Sequence, residues 1–508
     1  MNTANTEIHR RASVNWNGNG RFLFFMVALV LVVLLGTANQ PQLTNVQPAL
    51  LAVTAEQPET AVRVIIQKSD PTADIDSTIT QLGGSVIKDL HIINALVAQI
   101  PASLVPQLAQ SSGVRWVSLD GPVASTGKPP KDPAPEEPGY TNYFLDTLGV
   151  RPVWDMGLDG SGITVAVIDS GIAPDQDFRM VRRSISFNPN SVSTSDVYGH
   201  GTHVAGIIAG NGTNSNGLYR GIAPGVELIN LKISDAIGMS YESDTVEAMQ
   251  WVLDNKDAYN IRVVNLSIQS TVEQSYHTSP LDAAAEILWF NGVVVVSAAG
   301  NWPDGAFNPI HAAPANDPFI ITVGASDEKG TVVTRDDVIA PYSAYDETQE
   351  FIIKPEIIAP GSNIVSVLAK QSDWAINHPD RVILNGEYFR LSGTSMAAPM
   401  VTGAVALLLQ DEPNLTPDQV KYRLLATAGK IGKSPNYLNV YAAVTGTTTA
   451  SSNTGFEASQ LLWTGSDPIN WDSVNWGSVN WGSVNWGSVN WGSVNWGSVN
   501  WGSVDWNN

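Results

Sequence analysis

Cysteine is missing from all 508 residues. Disulfides and thiolate-held metals are therefore excluded, and any hard cation must take oxygen ligands. Positive charge is scarce: 27 Lys and Arg stand against 48 Asp and Glu, a formal net charge of −21. A chain so acidic repels phosphates, which argues against nucleic acid as a partner. Long uncharged apolar runs are also scarce. One reaches from Phe22 to Gly36 (FLFFMVALVLVVLLG). As a helix it spans about 22 Å, short of the ~30 Å hydrocarbon core of a bilayer. Arg10, Arg11 and Arg21 precede it, and Gly36-Thr37-Ala38 offers small residues after it. These features mark residues 1–38 as an export signal, either cleaved or kept as an anchor, and imply a secreted or cell-surface protein.

The length exceeds what one hydrophobic core organises, so two or more domains are expected. Residues 39–60, rich in Gln, Pro, Thr and Ala, read as a spacer. Within 61–122, AVRVIIQ (61–67) predicts a strand and 74–82 a helix ended by Gly83-Gly84. Residues 85–100 predict β structure with a turn near Leu90-His91, 102–109 a helix, and VRWVSL (114–119) a strand. This order is the split βαβ plan, a small α+β ferredoxin-like domain. Residues 123–140 carry STGKPPKDPAPEEPG, an exposed, protease-accessible linker.

The region 141–444 alternates apolar strands with helices, which gives an α/β class with a parallel sheet and helices on both faces. Three stretches in it carry chemistry. GITVAVI (162–168) runs into Asp169-Ser170-Gly171, placing a carboxylate at the carboxyl end of a strand, where such sheets gather catalytic groups. Gly199-His200-Gly201-Thr202-His203-Val204-Ala205-Gly206 opens an apolar helix. Two His three apart suit a metal, but the H-E-x-x-H pattern is absent, and glycines beside His200 suit close approach of other backbone. Leu391-Ser392-Gly393-Thr394-Ser395-Met396-Ala397-Ala398-Pro399 turns into a helix with no charged face over 396–410. A hydroxyl there sits at the positive end of a buried helix, although Ser or Thr before a helix is also an ordinary cap.

D-S-G, H-G-T-H-V-A-G and G-T-S-M-A-A-P, in the order Asp, His, Ser, resemble the subtilisin family of serine proteases. Other triad enzymes run in different orders. The resemblance implies Ser395 as nucleophile, His200 as general base and acid, and Asp169 as the group that orients the imidazole. His203 is left as a structural residue. By the same resemblance Asn301, after the apolar run Val293–Val296, forms the oxyanion hole with the Ser395 N–H, and residues 61–122 are an inhibitory pro-domain. Substrate would pair as an added strand with Leu266 and Ser267 on one side and the Gly238 region on the other, with Ala298 and Gly300 at the pocket floor. The family's Ser-Leu-Gly-Gly stretch is Ser267-Ile268-Gln269-Ser270 in this chain, so both pocket glycines are replaced. Lys370–Tyr388 is an inserted surface loop. The chemistry needs no cofactor. The resemblance makes structural calcium an expectation, with Asp177, Asn214 and Asn216 as oxygen ligands or ordinary turn residues.

After a linker (445–469), residues 470–508 repeat Ser-Val-Asn-Trp-Gly every five residues. Recurring Gly disfavours a helix. A short β-solenoid and a low-complexity tail are both open. So many Trp imply attachment to cell envelope or polysaccharide, or self-association. The leading expectation is thus an exported serine endopeptidase made as a self-maturing zymogen, acting on proteins or peptides. The alternatives are a sedolisin-like acid protease, against which His200 speaks, and a surface-binding protein on a dead protease fold.

Overall fold

The computed structural model describes residues 43–125, 141–191, 193–302, 309–431 and 434–462. The expected export signal, residues 126–140 of the expected linker and the repeat tail lie outside the described residues. All elements below belong to one unit that begins at Asn45.

The spacer expected over 39–60 contains a helix, α1 (Pro48–Glu56). Proline at its first position costs no hydrogen bond. Gln47 ties its start to the neighbouring domain: its N–H donates to Val117 O (2.9 Å) and its side chain accepts from Leu119 N (2.8 Å). Then follow β1 (Ala61–Lys68), α2 (Ile75–Gln81), β2 (Ser85–Leu90), β3 (Ala95–Pro101), α3 (Val105–Ala109) and β4 (Val114–Leu119). The strands form an antiparallel sheet in the order β2-β3-β1-β4. Ile65, Leu90, Ile92, Ile93 and Val97 join the same buried cluster as the α/β region that follows. A further strand, β5 (Pro122–Ser125), falls where the linker was expected to begin.

The α/β region opens with α4 (Phe144–Thr147), α5 (Val150–Asp155), β6 (Thr164–Asp169), β7 (Val181–Ser186), α6 (His200–Ala209), β8 (Glu227–Lys232) and β9 (Met239–Tyr241). It continues with α7 (Glu242–Tyr259), β10 (Ile261–Leu266), β11 (Ile268–Ser270), α8 (Pro280–Phe290), β12 (Val294–Ala298) and β13 (Ile321–Asp327). Short strands β14 (Val338–Ile339), β15 (Asp346–Glu347) and β16 (Ile353–Lys354) lead to β17 (Ile357–Pro360) and β18 (Ile364–Val367). Next come α9 (Asp373–Asn377), β19 (Val382–Ile383), β20 (Tyr388–Leu391), α10 (Thr394–Asp411), α11 (Pro417–Ala426), β21 (Gly429–Ile431), β22 (Ser434–Tyr437) and α12 (Val440–Thr445).

The main sheet runs β21-β22-β17-β13-β12-β10-β6-β8-β7, with β14 beside β13. From β22 to β7 neighbouring strands are parallel. Every residue of β6 and β12 is buried, as a strand covered on both faces requires. Helix α10 packs on β10, β12, β13 and β17 and against α6, while α7 and α8 form a second pair. The chain leaves β6 toward β8 on one side and β10 on the other. The crevice between β6 and β10 is therefore the topological switch point, where ligands of such sheets bind.

One expectation fails here. The segment after α12, expected to be a linker, packs on helix α8, all of whose residues are buried. Ser459 N–H donates to both carboxylate oxygens of Glu286 (3.0 and 2.8 Å), and Leu461 is buried. The same segment reaches the small domain, where Gln67 Nε2 donates to Leu461 O (2.5 Å).

Candidate active site

Asp169 ends β6, fully buried, and its Oδ1 accepts from Ser170 N (2.7 Å). His200 is the first residue of α6, entered through Gly199 in the left-handed region (φ 112°). Its Nδ1 lies 2.7 Å from Asp169 Oδ1. A Cβ on Gly201 would stand 2.3 Å from Gly171 O and 3.1 Å from Asp169 Cβ, so glycine is what lets helix and strand end approach. The Asp169 carboxylate accepts from the ring at Nδ1, and Nε2 has no hydrogen-bond partner among the described residues.

Asp196, unremarked in the sequence, braces this arrangement. Its carboxylate accepts from Ser170 Oγ (2.9 Å), Gly199 N (2.7 Å), Thr202 N and Thr202 Oγ1 (both 2.8 Å). Burial pushes its carboxyl above the ordinary range while these donors pull it back. An acidic residue shortly before a helix was the available signal. His203 is structural, its Nε2 within 3.2 Å of Ile364 O and 3.0 Å of Phe389 O. Burial, with His200 nearby, lowers its pKa to about 3, so it is neutral.

Ser395 is the second residue of α10 and is fully buried. Pro399 has no N–H to give the carbonyl four residues back, which is that of Ser395. That carbonyl instead accepts from Ser267 Oγ (3.1 Å). Ser267 is oriented by Asn265 Nδ2 (2.9 Å), and Asn265 Oδ1 accepts from Thr402 Oγ1 (2.8 Å). In return Ser395 Oγ donates to Ser267 O (3.0 Å). Asn301 Oδ1 accepts from Thr394 N (3.0 Å), which fixes the amide's orientation. Its Nδ2 is buried and has no hydrogen-bond partner among the described residues, and it stands near the start of α10.

Strand β5 lies antiparallel between β11 and β9. Ser125, Ala124 and Val123 face Ile268, Gln269 and Ser270, and Val123 and Ala124 face Ser240 and Met239. Of the expected substrate-binding residues, Ser267 touches Ser395 and Gly300 lies against Gln269. Gly238, in the left-handed region, turns the chain into β9 and leaves no room for a Cβ against the Tyr198 ring (2.4 Å). Leu266 and Ala298 are wholly buried at the ends of β10 and β12. The insertion 370–388 is more than a surface loop. It adds β19 to the antiparallel sheet β18-β20-β19 and sets Trp374 edge-on to His200 with ring centroids 5.5 Å apart.

Asp177 and Asn214, expected with Asn216 as calcium ligands, are engaged in hydrogen bonds within the protein. Asp177 Oδ1 accepts from Asn214 N (2.8 Å), and its Oδ2 accepts from the Tyr388 hydroxyl. The Asn214 amide nitrogen donates to Asp175 Oδ1 (2.8 Å), and Asn216 is an exposed left-handed turn residue. Hydrogen-bond donors hold both carboxylate oxygens. Among the described residues no group of three or more His, Asp or Glu is arranged to hold a metal.

Comparison with known proteins gives matches over both halves of this arrangement. The model of the subtilase family matches residues 160–460, and that of pentapeptide repeats matches 469–507 in 8 copies. Serine protease AprX of Bacillus subtilis is 38% identical over 274 residues, 52% of this chain and 60% of that protein. This chain thus spans less than two thirds of that relative. Subtilisin E, also of Bacillus subtilis, is 30% identical over 370 residues, covering 72% of this chain and 84% of the relative. The crystal structure of fervidolysin from Fervidobacterium pennivorans, a keratinolytic enzyme related to subtilisin, superposes with a TM-score of 0.60 at 25% identity. That match covers 77% of this chain and 62% of the other.

Proposed function

Because the chain belongs to the subtilase family of serine endopeptidases, we propose that it is an exported endopeptidase that matures and inhibits itself, with Asp169, His200 and Ser395 as its triad. The observation that carries this reading is β5, a segment of the chain's own that occupies the edge between β9 and β11 beside Ser395. A peptide substrate adds to the same two strands.

In the reaction, Ser395 Oγ attacks the substrate carbonyl while its proton passes to His200 Nε2. Asp169 holds the other ring nitrogen and stabilises the imidazolium. The developing oxyanion takes hydrogen bonds from Asn301 Nδ2 and the Ser395 N–H, at the positive end of α10. His200 then protonates the leaving amine, and water releases the acyl group. In the closed form the Ser395 hydroxyl is turned to Ser267 O, so catalysis requires it to turn to His200. No step calls for a metal. A histidine base beside a buried aspartate favours this reading over an acid protease.

The small domain of residues 61–122, ferredoxin-like in its strand order, is the inhibitor. Its cut falls within a residue or two after Ser125, which pairs with Ile268, the neighbour of Ser267. The pentapeptide tail attaches the enzyme to a surface or to its own kind. Deletion of 465–508 should release the protein from cells or assemblies, and unchanged fractionation refutes that role. The catalytic reading is tested by labelling with a fluorophosphonate. Label is expected on Ser395 of the matured wild type and absent from His200→Ala.

A further inference from the structure

By the family resemblance, the pocket that receives the residue before the cleaved bond would lie between two chain segments. One is Ser267-Ile268-Gln269, from the end of β10 into β11. The other is Ala298-Ala299-Gly300, from the end of β12. In an open pocket these walls stand apart. Here they are bridged. A Cβ built on Gly300 would stand 2.4 Å from Gln269 Oε1 and 2.9 Å from both Cδ and Nε2 of the same amide. The Gln269 carboxamide thus fills the space above Gly300, and Gly300, with φ of 103°, tolerates that contact because it has no side chain. Both walls are rigid. Ser267, Ala298 and Ala299 are fully buried, Ser267 is held by Asn265, and Gly300 N–H donates to Thr394 Oγ1 (3.1 Å). Gln269 itself is half-buried and sits in the strand that pairs with β5, opposite Ala124.

On the reading above, we propose that Gln269 sets the specificity of cleavage. Its side chain closes the pocket to large residues, and the enzyme cuts after small uncharged ones. The chain's own cleft segment agrees with this. Val123, Ala124 and Ser125 are followed in sequence by Thr126 and Gly127, all small. A bulky aromatic residue has to displace the carboxamide from between the walls, whereas Ala, Ser or Thr fits beneath it. One methylene of misfit in a hydrophobic pocket is worth roughly 10–200-fold in kcat/KM.

The test uses the matured full-length enzyme and peptide p-nitroanilides that share Val-Ala-Ser before a varied last residue (Ala, Thr, Leu, Phe or Lys). The wild type should favour Ala or Thr over Phe by at least about tenfold, and Gln269→Gly should raise the Phe-to-Ala ratio by about 10–100-fold. Gln269→Ala should move the ratio the same way, and serves if the glycine variant fails to mature. Gln269→Glu, similar in volume, should still exclude Phe. Equal ratios in wild type and both small variants overturn the role of Gln269, as does a wild-type preference for Phe. Fluorophosphonate labelling separates the two levels. A labelled wild type with an unmoved ratio refutes Gln269 alone, whereas an unlabelled wild type refutes the protease reading and Gln269 with it.

Discussion

Replacing Asp120 with Ala should shorten the life of the inhibited form. Asp120 sits at the end of the small domain and is fully buried against the start of α7. Its Oδ1 accepts from Ser243 N (2.9 Å), as an N-cap does, and its Oδ2 from Ser243 Oγ (2.9 Å) and Arg63 Nε (2.9 Å). Arg63 in turn lies over the Tyr241 ring, 4.0 Å from its centroid. Losing the cap costs about 1 kcal/mol, and leaving the mostly buried Arg63 without its carboxylate about 1–2 kcal/mol more. Burial raises the Asp120 carboxyl despite Arg63, so part of this gain already offsets desolvation. A net loss of about 2 kcal/mol remains, which is roughly 30-fold in affinity between inhibitor and enzyme. The assay is the lag before activity appears, together with the inhibition constant of the small domain added back to mature enzyme. Asp120→Asn, which keeps an acceptor for Ser243, should fall between wild type and Asp120→Ala. An unchanged lag and inhibition constant in Asp120→Ala would refute this account of the interface.

Other perturbations have equally definite outcomes. Asn301→Ala should lower kcat with little change in KM, by ~100–1,000-fold, a figure carried over from the same amide in a subtilisin. Alkaline pH should release the inhibitor. Glu242, under Gly121 and hydrogen-bonded by Ser270 and Gln274, is raised to about 8 by burial and by Asp120. When the small domain leaves, Glu242 should return toward the ordinary carboxyl range. The closed form therefore holds its proton more tightly, so its stability is highest at low pH and falls as pH rises from the ordinary range to about 8. Inhibition measured from pH 5 to 9 should weaken across that window, and Glu242→Gln should flatten the profile. Finally, a chelator should leave the thermal midpoint unmoved, because donors already hold Asp177, while Tyr388→Phe should lower it. A midpoint that drops in chelator contradicts the hydrogen-bond assignment.

The three short motifs were legible because each couples a strand end or helix start to a reactive side chain, and those local structures follow from apolar runs beside glycine. The resemblance proposes Asp169, His200 and Ser395 from them, and Asn301 from a fourth stretch after Val293–Val296. What escaped depends on distant partners. Pro122–Ser125 has no apolar alternation of its own and becomes a strand only because β9 and β11 present free edges to it. Helix α1 shows no apolar stripe and is held through Gln47. The contact of Glu286 in α8 with Ser459 joins residues over a hundred positions apart. The Tyr388 hydroxyl that donates to Asp177 comes from an insertion more than two hundred residues away, a contact the sequence does not announce. The glycine-to-glutamine change at Gln269 was visible, but its contact with Gly300 needed the fold.

The central claim is that Ser395 cuts its own chain just after the strand that fills the cleft. Mass spectrometry of the exported protein beside Ser395→Ala tests it most directly. The account predicts a wild-type product that begins within a residue or two after Ser125, and a variant that keeps residues 61–125 joined to the rest. Identical cutting of both chains, or a wild type that is never cut, would contradict it.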